Sequence, residues 1–135
     1  MRDSTQLLSR VTLFAAGLIS LVIGVAIIFL TKDFYASTGI DLKGDASLYS
    51  EIRASGAVLL AVAIFLLAAL VRPAWQRSAI LVSAIYFSAY GLARLYSAFV
   101  TGWPSAEITT AMVAELAVGA VAAGLILRAG RQAER

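Results

Sequence analysis

The chain has 135 residues, 61% hydrophobic and only 14% charged, with a formal net charge of +3. That is one domain's length with too little charge, gathered around four apolar blocks, which excludes an ordinary soluble core and points to a polytopic membrane protein. Cysteine and histidine are both absent, so disulfides, thiolate metal sites and the commonest acid–base side chain are excluded too.

The first block, Val11 to Leu30, is preceded only by Arg2 and Arg10 as basic residues. At roughly 20 residues it exceeds the roughly 7–15 of a secretory h-region, and no small-x-small cleavage site follows it. It reads as a retained membrane helix over about 7–30. Ala16, Ser20 and Gly24 recur every four residues, forming a small-residue face that suits close packing within the chain or a dimer contact.

Residues 31–46 form the longest connection, expected to hold a short interfacial helix and a solvated turn. Phe34 and Tyr35 suit the headgroup level. Asp41 to Asp45 faintly resembles a calcium loop but lacks the ligand spacing and closing glutamate of an EF-hand; no metal is expected there. Ser47 is a good N-cap for a second helix over about 47–71, which Arg72-Pro73 closes. A third helix is predicted over about 75–100. The compact turn Thr101-Gly102-Trp103-Pro104 follows, and Ser105 can cap a fourth helix over about 105–127. Short connections make consecutive helices antiparallel, so the expected architecture is all-α: one domain, an up-down-up-down bundle of four membrane helices.

Arg2, Arg10, Arg72, Arg77, Arg128, Arg131 and Arg135 fall at one end, and only Lys32 and Lys43 at the other. The positive-inside rule then predicts that both termini and the 72–77 loop are cytoplasmic. Membrane topology accounts for the basic balance, and no nucleic-acid partner is expected.

Four ionisable residues lie within the predicted spans: Glu51, Arg53, Arg94 and Glu115. Intramembrane charges are costly and usually pair inside a bundle. Counting about 1.5 Å per residue from the outer helix ends puts Glu51 roughly 6 Å deep, Arg53 roughly 9 Å, Arg94 roughly 10 Å and Glu115 roughly 15 Å. All four therefore belong to the outer half, where their charges sum to zero. Residues two apart point about 200° apart, so Glu51 and Arg53 cannot both face inward; Glu51 is placed to snorkel and Arg53 to enter the interior. Tyr86, Tyr90 and Arg94 form one stripe on the third helix, with Ser83 and Ser97 at its edges. Ala111, Glu115, Gly119 and Ala123 form a seam on the fourth. Glu115 is expected to accept from Arg94, Arg53 or both, since arginine's five-donor fork can bridge helices.

Taken together, Glu51-x-Arg53-Ala54-x-Gly56, Arg72-Pro73, Gly91-x-x-Arg94, Gly102-x-Pro104 and Glu115 resemble an uncharacterised bacterial domain-of-unknown-function family of four-helix inner-membrane proteins, similar in layout to the DoxX-like proteins. The resemblance covers about three-quarters of the chain. It implies the fold and the charge constellation, and no established activity. Thr101-Gly102-Trp103 departs from the arginine- or asparagine-rich outer turn usual in such a family.

Three roles are compatible with the cluster. An ion pair can fix helix register, which suits a non-enzymatic accessory or structural subunit within a homo-oligomer or larger membrane complex. A polar cavity lined by Arg53, Tyr90, Arg94 and Glu115 would suit binding or transport of a small anionic or lipid-like ligand. A carboxylate acid–base in Glu115 would suit a lipid-modifying enzyme. No cofactor is implied by any of them.

Overall fold

A computed structural model of the chain describes residues 2–133, with side chains over 4–130. The side chains of Arg2, Arg131 and Arg135, which enter the charge count above, lie outside these residues. The helices are α1 (Arg2–Phe29), α2 (Thr31–Ser37), α3 (Ala46–Val71), α4 (Gln76–Thr101) and α5 (Ala106–Ala133), with a 3-10 turn at Pro73–Trp75 and no strand among the described residues. Four of them, α1, α3, α4 and α5, are long and apolar enough to cross a membrane.

Local chemistry sets the breaks. The short helix expected in the first connection is α2. It follows a break at Leu30 (φ −118°, ψ 32°), where the Thr31 hydroxyl donates back to the Ile27 carbonyl at 2.7 Å. The cap of α3 is Asp45 rather than Ser47: its Oδ1 accepts from the N–H groups of Ser47 and Leu48 at 2.8 and 3.1 Å. A carboxylate is both an acceptor and a favourable charge at the positive helix end, which places Ser47 inside the first turn. Asp41, the other acid of the loop, accepts from the Lys43 N–H at 3.0 Å. Arg72 is extended (φ −125°, ψ 90°), as the residue before a proline tends to be, and this ends α3. Gly102 ends α4 at φ 112°, a conformation costly for a residue with a Cβ.

The spans are organised as two helical hairpins. α1 packs mainly on α3, and α4 mainly on α5, while the hairpins meet each other more sparsely. Small residues make each hairpin tight. A Cβ on Gly24 would lie 3.0 Å from the Leu60 nitrogen and 3.2 Å from the Gly56 carbonyl oxygen; on Gly119 it would lie 2.8 Å from the Ser88 nitrogen. The Ala16, Ser20 and Gly24 face is buried within the chain, so its close approach is intramolecular. The contiguous core shared by both hairpins includes Leu13, Ala16, Leu66, Ala69, Ile80, Phe87 and Leu125. These residues sit in the half of the bundle nearest the termini. We call this the terminal end; the other, with the 30–45 and 102–105 connections, is the distal end.

Candidate functional site

Helical spacing puts Ser83, Tyr86, Tyr90 and Arg94 along one face of α4. Tyr86 and Tyr90 stack with ring centroids 4.8 Å apart and planes 32° from parallel. At the distal end of the line, Arg94 Nε donates to Glu115 Oε2 at 3.0 Å and Oε1 at 3.3 Å. The pair is shielded without being sealed: the side chains are 32% and 17% exposed. Glycines bracket it, with Gly91 against Leu116 and Gly119 against Ser88. Toward the middle of the helix, the hydroxyls of Ser83 and Tyr86 are buried with no hydrogen-bond partner among the described residues.

Arg53 does not join this group. It is exposed, its Nε donates to Thr31 Oγ1 at 3.1 Å, and its guanidinium lies 5.3 Å from the Tyr49 ring centroid. The reason is the hairpin pairing: α3 lies against α1, so the arginine finds partners on its own hairpin. Glu51 is also exposed and forms no ion pair among the described residues. The expected meeting of three spans is therefore a two-span pair on α4 and α5, plus a separate link from Arg53 to the α1–α2 junction. Ser97, expected near the stripe, is exposed as well.

Two participants were not visible as such in the sequence. Thr31 is 2% exposed and relays Arg53 onto the Ile27 carbonyl; a threonine at a helix end can bond back to the i−4 carbonyl, but nothing local predicts its second partner. Tyr35 reads as an interface aromatic, yet it is half-buried and near enough to Arg94 to sense its charge. Burial pushes its phenol above the ordinary 10.0, and Arg94 pulls the other way.

This geometry can hold helix register through a charge-assisted bond and offers two uncommitted hydroxyls. Among the described residues there is no group of three or more acids that could hold a metal. The family model described as a domain of unknown function, DUF4345, matches residues 8–126. No curated protein matches the chain, and no solved structure does.

Proposed function

The chain belongs to the DUF4345 family, and we propose that this member is a non-enzymatic accessory or structural subunit of a bacterial inner membrane. The observation that carries this reading is the setting of the Arg94–Glu115 pair. It spans a single hairpin, between two glycine contacts, and Arg94 Nε engages both carboxylate oxygens. A charge-assisted bond between closely packed helices fixes their register. Counted over the connections and termini of the sequence, the arginines of the terminal end against Lys32 and Lys43 in the distal connections support cytoplasmic termini. Purification of the tagged chain in mild detergent should recover a homo-oligomer or a stoichiometric complex. A monomer in mild detergent, with no cross-linked species in intact cells, would overturn the proposal.

A second reading has its own support. The unpartnered hydroxyls of Ser83 and Tyr86 favour a binding module in which a small polar or anionic ligand lies along the α4 line toward Arg94. Arg94→Ala would then abolish binding in a chain that remains folded, whereas unfolding of that variant favours the structural role.

A further inference from the structure

We infer that the terminal end of the bundle holds an acidic phospholipid by its headgroup, in a cleft between α1, α4 and α5. The cleft has a volume of about 360 Å³, within the roughly 300–1,000 Å³ range of small-molecule sites. Its floor is apolar, with Ile80 and Leu125 buried, and its rim carries Gln6, Ser9, Gln76 and Arg77. Ser9 donates its hydroxyl to the Thr5 carbonyl at 2.9 Å. Gln6, Gln76 and Arg77 make no side-chain hydrogen bond or ion pair among the described residues. The rim thus presents unused donors. The charged residues at this end whose side chains are described are Arg10, Arg72, Arg77 and Arg128; the sequence adds Arg2, Arg131 and Arg135 against Asp3 and Glu134, leaving the balance positive.

Unused donors under a net positive field select an anion with several acceptor oxygens, and phosphate fits that description. Position and shape favour a lipid as its carrier. The cleft lies at the ends of the spans, which is headgroup depth, and basic pockets between membrane helices hold anionic headgroups. A second groove, of about 340 Å³, runs along α1 and α5 past Leu8, Val121 and Gly124 to Arg128, and shares Leu125 with the cleft. A Cβ on Gly124 would meet nothing within 4 Å, so this groove has room for part of an acyl chain.

The test is native mass spectrometry of the delipidated full chain titrated with phosphatidylglycerol, phosphatidylcholine or inorganic phosphate. One phosphatidylglycerol per chain should bind in preference to phosphatidylcholine. Arg77→Gln should weaken it at least about fivefold, the equivalent of roughly 1 kcal/mol for one basic residue at a membrane surface. Ala129→Trp fills the cleft from its lining without changing charge and should also lose the lipid. Lys43→Gln, at the distal end, should not. Equal uptake of the two lipids, or wild-type binding by Ala129→Trp, would overturn the inference; if Arg77→Gln fails to fold, Ala129→Trp decides. Inorganic phosphate binding as tightly as the lipid would assign the cleft to a soluble anion and overturn the lipid reading.

Discussion

Arg94 and Glu115 are each other's ion-pair partners, and neither has a second among the described residues. Removing one charge leaves the other in a low-dielectric setting, which costs roughly 3–5 kcal/mol for a fully buried pair. Because Arg94 keeps about a third of its exposure, we expect Arg94→Ala to cost about 2 kcal/mol. Arg94→Ala with Glu115→Ala should be less destabilised than the sum of the single changes, as a double-mutant cycle by denaturant unfolding in micelles would show. Ser83→Ala tests the orphan hydroxyls: removing an unpaired buried hydroxyl should be neutral or stabilising by up to about 1 kcal/mol, unless an occupant uses it, in which case stability falls. Tyr35 supplies a pH signature. Its phenol is raised in the folded chain, so the neutral form is favoured by folding. That contribution is complete below about pH 10, the unfolded value, and is lost as pH rises through the folded one. Thermal midpoints followed across that window should fall for the wild type, and Tyr35→Phe should remove this part of the decline.

At the scale of helices, the small residues decide which pairs form. Gly119 faces the Ser88 backbone, which cannot swing aside as a side chain can. Gly119→Ala should therefore push α4 and α5 apart and cost about 1–3 kcal/mol, as overpacking does. Gly124 is the control: its Cβ position is open, so Gly124→Ala should be neutral or stabilise by about 0.5–1 kcal/mol through helix propensity. Unfolding of the two variants side by side checks both. Of the elements themselves, the four long helices were legible from the apolar blocks; α3 and α4 lie within a residue of the expected bounds, while α1 begins five residues earlier and α5 ends six residues later. The cap of α3 was not, because Asp45 and Ser47 are both good caps and the choice depends on how the 38–45 turn arrives.

The whole molecule is two hairpins joined at one end. The shared core from Leu13 to Leu125 lies in the terminal half, and the polar line of α4 extends from it to the distal half. Both termini and the Pro73–Trp75 turn therefore share an end. The absence of cysteine makes this directly testable. Ser4→Cys and Ala74→Cys should resist an impermeant maleimide in intact spheroplasts and react after lysis. Ser37→Cys and Ser105→Cys should react from outside. The opposite pattern would invert the proposed orientation and leave the bundle as described.

The number of long apolar helices and the face shared by Tyr86, Tyr90 and Arg94 follow from the order of residues, since each depends on helical rise, helical periodicity and a bilayer's thickness, all local to one segment. Partnership was decided by the tertiary structure. Arg53 and Arg94 lie at similar depths in the sequence count, yet one bonds Thr31 and the other Glu115. Which side chains meet depends on how helices pair and rotate, and here the close glycine contacts lie between α1 and α3 and between α4 and α5, so each arginine meets partners on its own hairpin.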